Sequence, residues 1–125
     1  MELDTHYVHL LLKDNLLIGT YKKGLHINLE IAHEIVRARI YFMEGKKRIP
    51  AMIITKGITG ITKPARDYLS SVEATKGLVA SAIIVDASFS NIMGNFFLRV
   101  HKPAMPVRIF YDTRRAEKWL KKFIV

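Results

Sequence analysis

Residues 51–69 read AMIITKGITGITKPARDYL, and they combine an apolar strand, a glycine-containing loop and a helix start. The β-branched run from Ala51 to Thr55 is typical of a strand inside a sheet. Two glycines mark the loop, and Thr62 followed by Pro64 predicts a capped helix. Because α/β domains bind ligands and partners where a strand passes into a helix, this segment is the first candidate site.

The composition favours one cytoplasmic domain. A chain of 125 residues can bury its own core, so we expect a single domain over residues 1–125. The absence of cysteine excludes disulfides, thiolate catalysis and cysteine-ligated zinc. The N-terminus lacks the pattern of a signal peptide. The apolar run from Leu78 to Val85 is shorter than the roughly 20 residues of a membrane-spanning helix.

The net charge is strongly positive. Twenty Lys and Arg residues against eleven Asp and Glu residues give +9, which favours nucleic acid, anionic lipid or an acidic protein surface as partner. No RNA-binding aromatic motif, zinc finger or recognition helix accompanies this charge, so we do not expect nucleic-acid binding.

Hydrophobic periodicity predicts the element order β-β-α-β-α-β-α-β-α. The predicted strands cover Thr5–Lys13, Leu16–Lys22, Ile49–Thr55, Leu78–Asp86 and Val107–Tyr111, and the first two form a hairpin that turns at Asp14-Asn15. The predicted helices run from the Asn28 cap to Gly45, over Thr62–Lys76, from Ser88 to about His101, and from Asp112 or Thr113 to the C-terminus. Alternating strands and helices imply right-handed crossovers and a largely parallel sheet with an antiparallel N-terminal hairpin. We therefore expect a single α/β domain.

The C-terminal sequence RIFYDTRRAEKWLKKFIV resembles the end of STAS domains, the SpoIIAA-like domains named after bacterial anti-sigma-factor antagonists. In several branches of that family an aromatic-ended strand, an Asp and an Ala-x-x-Trp-Leu helix close the domain. The residues that match are Phe110, Asp112, Ala116, Trp119 and Leu120, and the segment Gly94–Pro103, which includes NFFLRVHKP, adds to the likeness. The resemblance implies a non-enzymatic interaction domain.

The resemblance also implies that the usual switch is missing. In phosphorylated members of the family, the helix after the third strand starts with an Asp-Ser pair, and the Ser takes the phosphate. Alignment of Ile61–Pro64 with that start places Thr62 at the Asp position and Lys63 at the Ser position. We expect Thr62 to cap the helix rather than to accept a phosphate.

The loop has two interpretations. Its candidate ligand-binding or partner-binding residues are Lys56, Gly57, Gly60, Thr62, Lys63 and Arg66. Helix N-terminal amides beside three cationic side chains would favour a phosphate or a carboxylate, although no Gly-Lys-Ser/Thr motif marks a P-loop. The alternative is that the glycines permit a tight turn and that the cations are only solvated.

The first predicted helix has an apolar arc wider than one sheet requires. Part of it could be a homodimer or partner face formed by Leu29, Val36, Arg39 and Ile40. Within this arc Arg39 must either reach solvent or find a carboxylate. The alternative is that the N-terminal hairpin covers the extra surface within the same chain.

The last predicted helix is both apolar and basic. Ala116, Trp119, Leu120 and Phe123 form a stripe among arginines and lysines. Such a helix could lie on an anionic membrane surface, or it could dock its tryptophan onto the sheet and leave the lysines in solvent.

Motifs for metal binding and catalysis are weak. The Glu30-x-x-His33 spacing occurs once and lacks partners on other helices, so we expect neither a metal nor a cofactor. No Gly-x-Ser-x-Gly motif is present, and Asp86 beside Ser88 is explained by a strand end and a helix cap. We expect no catalytic residues.

The sequence thus predicts a non-enzymatic STAS-like interaction domain. The alternatives are a binder of lipid or small anions through the loop and an apolar pocket, and then an uncharacterised enzyme.

Overall fold

The computed structural model describes residues 1–86 and 105–124. Within these residues the main sheet has six strands: β1 (Glu2–Asp4), β2 (Val8–Lys13), β3 (Leu16–Tyr21), β5 (Ile49–Ile54), β7 (Leu78–Ile84) and β8 (Val107–Phe110). Two short strands, β4 (His26–Ile27) and β6 (Gly60–Ile61), pair in a second sheet. The helices are α1 (Leu29–Phe42), α2 (Lys63–Leu69) and α3 (Thr113–Leu120), and a 3₁₀ turn at Lys121–Phe123 follows α3.

The sheet confirms the predicted topology. Its spatial order is β1-β2-β3-β5-β7-β8. The β1–β2 and β2–β3 pairs are antiparallel, whereas the β3–β5, β5–β7 and β7–β8 pairs are parallel. Asp14 and Asn15 turn the β2–β3 hairpin with φ angles of 53° and 62°, in the left-handed region that short polar side chains tolerate.

The helix starts are also as predicted. The Asn28 side chain accepts a hydrogen bond from the Ile31 amide at 2.9 Å, and the Asp112 side chain accepts one from the Arg115 amide at 2.8 Å. Each cap satisfies an amide that the first turn of a helix leaves unpaired.

The second predicted helix, over Thr62–Lys76, is wrong in its length, because α2 ends at Leu69. The Ser70 hydroxyl donates to the carbonyls of Arg66 and Asp67, and the Ser71 hydroxyl donates to the Tyr68 carbonyl. Serine side chains that bond the backbone in this way compete with helix continuation.

Three further elements differ from the prediction. The sequence pattern did not indicate β1, β4 or β6, each of which has only two or three residues. The helix predicted from Ser88 to about His101 lies outside the described residues. In the part of the chain that the structure describes, no helix is both long enough and apolar enough to cross a membrane.

The sheet buries two cores. On one side, here called the α1 face, α1 and α2 pack with Leu10, Leu17 and Ala51. On the other side, the α3 face, α3 packs on Met52, Ala82 and Ile84. Alternate residues of each strand therefore serve different cores, as the two-residue period of a strand requires.

Candidate functional site

The loop after β5 begins at a buried threonine. The Thr55 hydroxyl donates to the Ile84 carbonyl at 2.7 Å, which ties the end of β5 to β7. Gly57 has a φ of 89°, a conformation that favours glycine. Its amide donates to Oδ2 of Asp86 at 3.2 Å, and its carbonyl accepts from the Gly24 amide at 2.8 Å. Hydrogen bonds to Asp86 and Gly24 thus fix the first half of the loop.

The second half of the loop is held by the segment that follows β3. The amides of Thr59 and Thr62 donate to the carbonyls of Leu25 and Ile27 at 2.8 Å and 2.9 Å. At Gly60 a Cβ atom would lie 2.8 Å from Nδ1 of the exposed His26 ring, so a larger residue there would displace that side chain.

The loop amides are therefore largely used within the chain. Those of Gly57, Thr59 and Thr62 have partners, and α2 has only seven residues. Thr62 accepts from the Ala65 amide at 3.3 Å, as expected of a helix cap. The geometry agrees with the structural interpretation of the two glycines rather than with an open cradle for a phosphate.

The cationic candidates differ in exposure. Lys56 and Lys63 are exposed, and Nζ of Lys63 lies 3.1 Å from Oδ2 of Asp67. Arg66 is half-buried in α2. The lysines at 56 and 63 thus bracket the loop, while Arg66 lies in the helix that follows it.

Sequence reasoning missed Lys23. This exposed residue packs against the loop, since a Cβ atom at Gly57 would lie 3.2 Å from its Cγ. The signal was available, because β3 and β5 are parallel neighbours and the segments after them meet at the same sheet edge. We call Lys23, Lys56 and Lys63 the basic loop surface.

The predicted dimer or partner face on α1 is corrected at two of its four positions. Val36 and Arg39 are only 4% and 5% exposed within the single chain, so they cannot present a surface to a partner. Leu29 and Ile40 are 41% and 38% exposed. Val36 and Arg39 are therefore covered within the same chain.

The Arg39 side chain neither reaches solvent nor pairs with a carboxylate of the described residues, which were the two outcomes expected from the sequence. Its Nη2 donates to the Ala74 carbonyl at 2.8 Å, and its Nη1 lies 3.8 Å from the Met43 sulfur. Both partners are uncharged, and the described residues give the guanidinium no carboxylate. Burial lowers the pKa of Arg39, although a guanidinium stays protonated at neutral pH.

A cavity of about 100 Å³ lies beside Arg39 on the α1 face. Most of its lining is aliphatic, and the polar groups that reach it include Tyr21, Thr55 and Ser81. Burial raises the pKa of Tyr21 to about 12, so its hydroxyl is neutral at physiological pH. Sequence periodicity placed Arg39 in the apolar arc of α1, but it could not reveal that space remains next to it.

The last helix docks on the sheet. Ala116 and Leu120 are buried, and the Trp119 ring lies between those of Phe110 and Phe123, with centroids at 5.9 Å and 4.9 Å. Its lysines are exposed. The apolar stripe is therefore already covered, as in the docking alternative.

In the Glu30-x-x-His33 motif of α1, the histidine lies beside an aromatic ring. The His33 ring stacks on Tyr68 with centroids 4.0 Å apart. In residues 1–86 and 105–124, no three His, Cys, Asp or Glu side chains are grouped so that they could hold a metal ion.

Comparison with known proteins gives a family and a fold. A family described as a domain of unknown function, DUF7793, matches residues 10–124. No curated protein matches the chain. A crystal structure of an uncharacterized DUF3478 family protein with a SpoIIAA-like fold, from Shewanella loihica PV-4, is similar with a TM-score of 0.62 and 18% identity, over 96% of this chain and 98% of that one. The chain thus belongs to the DUF7793 family and has the SpoIIAA-like, or STAS, fold that its C-terminal sequence predicted.

Proposed function

We propose that this chain is a non-enzymatic STAS-like regulatory domain that binds an acidic protein surface through the basic loop surface. The observation that carries the proposal is a loop whose backbone is fixed by the chain itself while its lysines point to solvent. Gly57, Thr59 and Thr62 all donate within the chain, whereas Lys23 and Lys56 are exposed.

A fixed loop suits protein recognition for a physical reason. A partner that docks on it does not have to order the backbone, so less conformational entropy is lost on binding. Exposed lysines add long-range attraction to an acidic partner, which raises the association rate and makes it depend on salt. The net charge of +9 acts in the same direction.

The proposal includes the loss of the phosphoserine switch. Lys63 stands where the resemblance expects the phosphorylated serine, and the Thr62 oxygen accepts a hydrogen bond from the Ala65 amide. Regulation would then depend on the presence of the partner rather than on a kinase. Peptide mass mapping of the protein from its native cells tests this point, and a phosphate located on Thr62 would contradict it.

The partner contact is tested by affinity capture with matched variants. The loop variant carries Lys23→Ala, Lys56→Ala and Lys63→Ala, and the control carries Lys76→Ala, Lys118→Ala and Lys122→Ala, all at exposed positions. Both variants lose three positive charges. We expect a partner that wild type and control retain and the loop variant loses. Binding of that purified partner should also weaken as salt rises. Identical partner sets from the two variants would remove the loop from the proposal.

A further inference from the structure

The cavity on the α1 face has mostly aliphatic walls and a buried cationic side chain. Its walls come mainly from aliphatic residues of β2, β5, β7, β8 and α1, among them Val8, Leu10, Ile53 and Ile83. Arg39 also lines it and is 5% exposed. A charge that has left water is costly unless an opposite charge or several hydrogen bonds replace the lost hydration.

The chain replaces that hydration only in part. Arg39 has five N–H groups, and its recorded partners are the Ala74 carbonyl and the Met43 sulfur. The nearby tyrosines at 21 and 68 are neutral at physiological pH, since the ordinary pKa of tyrosine is about 10 and burial raises the pKa of both hydroxyls further. In the described part of the chain, the guanidinium therefore has two uncharged partners and no counter-charge.

The size and polarity of the cavity restrict what could supply the counter-charge. An apolar protein cavity of about 150 Å³ holds benzene, so about 100 Å³ holds roughly four non-hydrogen atoms, and a slightly larger ligand can extend outward because the cavity is partly open to solvent. A carboxylate matches the planar fork of a guanidinium and carries one charge. A phosphate would place a second charge among aliphatic walls, at a further desolvation cost.

We propose that this cavity binds a small branched carboxylic acid, with its carboxylate on Arg39 and its aliphatic body against the β2, β5, β7 and β8 side chains. This site is independent of the basic loop surface, because it lies inside the α1 face and uses none of the three lysines.

The test compares two probes of nearly equal shape on the wild-type protein. Isobutyrate and isobutyramide have the same carbon skeleton, and only isobutyrate is charged. Each is titrated into isotopically labelled protein at pH 7 and constant ionic strength, and binding is followed through backbone amide chemical shifts. Loss of one partner of a buried charge pair weakens binding strongly, so we expect the dissociation constant of isobutyramide to be about 30-fold higher or more.

Two substitutions of like chemistry locate the site. Arg39→Met removes the buried charge and should abolish the preference for isobutyrate. Arg37→Met removes an exposed charge from the same helix and should leave the preference unchanged. Ser81→Val places two methyl groups in the cavity and should weaken both probes, so that the test does not depend on how well the Arg39 variant folds.

Several results would overturn the proposal. Equal affinity for the two probes would mean that no buried cation selects the acid. The absence of saturable shifts with isobutyrate would mean that the cavity does not take this class of ligand. An unchanged preference in the Arg39 variant would place the binding elsewhere on the protein. None of these results bears on the partner contact, which is measured with different variants.

Discussion

The two faces of the sheet use neighbouring residues of the same strand in different ways. On β7, Ser81 and Ile83 point to the α1 face, whereas Ala82 and Ile84 point to the α3 face. On the α3 face, Ala116 and Leu120 of α3 pack onto the strands together with aromatic rings, and an open groove beside the helix is lined by Leu16, Ile18 and Met52. The α1 face keeps a cavity, a buried cation and several hydroxyls. The difference between the faces is therefore the buried charge, because Arg39 lies on the α1 face and the α3 face core contains no charged side chain among the described residues.

The largest effect is expected on the α3 face. Leu120 is fully buried, so Leu120→Ala should lower the free energy of unfolding by about 2–5 kcal/mol, through lost burial and the cavity left behind. Urea denaturation monitored by Trp119 fluorescence measures this change. The control is Lys118→Ala on the exposed side of the same helix, which should stay within about 0.5 kcal/mol of wild type. A small loss for Leu120→Ala would contradict the view that this face holds the domain together.

On the α1 face, Tyr21 should make the free energy of unfolding depend on pH above pH 10. Burial raises the pKa of Tyr21 from 10.0 to about 12, so the folded protein keeps a proton that the unfolded chain has lost. Stability from this group is full below pH 10 and is lost as the pH rises through about 12, and a shift of two units corresponds to about 3 kcal/mol.

The matched variant for this prediction is Tyr21→Phe. It keeps the ring and removes the titrating hydroxyl, while the lysines titrate in both proteins. The difference between the two unfolding free energies, measured against pH, isolates Tyr21. Parallel profiles for wild type and Tyr21→Phe would show that burial does not raise the pKa of the Tyr21 hydroxyl.

Local chemistry explains why much of the fold was predictable. The Asp14-Asn15 turn, the Asn28 and Asp112 caps and the apolar strand β7 depend on residues within a few positions of each other. Their side chains act on the adjacent backbone, so a single sequence contains the necessary information.

The unpredicted features depend on residues that are distant in the chain. Arg39 meets Ala74, and Lys23 meets Gly57, at separations that periodicity cannot connect. The early end of α2 is different, because Ser70 and Ser71 could have been recognised as helix breakers by their hydroxyls. The candidate loop was found from its glycines and lysines, but its fixed backbone appeared only with the β4–β6 pairing.

The two faces can be compared directly at adjacent positions of β7. Ala82 is fully buried on the α3 face, so Ala82→Val should overpack it and lower the free energy of unfolding by about 1–3 kcal/mol. Ser81 lines the cavity, where Ser81→Val adds methyl groups to empty space and should be neutral or stabilising by about 1 kcal/mol. Urea denaturation of both variants measures the difference. Equal losses would mean that the cavity has no room for added methyl groups.

The smallest effect is expected at Thr62, which caps α2. Thr62→Ala removes the acceptor of the Ala65 amide and should lower the free energy of unfolding by about 1 kcal/mol, whereas Thr62→Ser keeps a hydroxyl cap and should stay near wild type. The same urea assay distinguishes them. If the alanine variant were as stable as the serine variant, the Thr62 hydroxyl would not be needed by the helix, and the argument that capping makes it a poor phosphate acceptor would lose its physical basis.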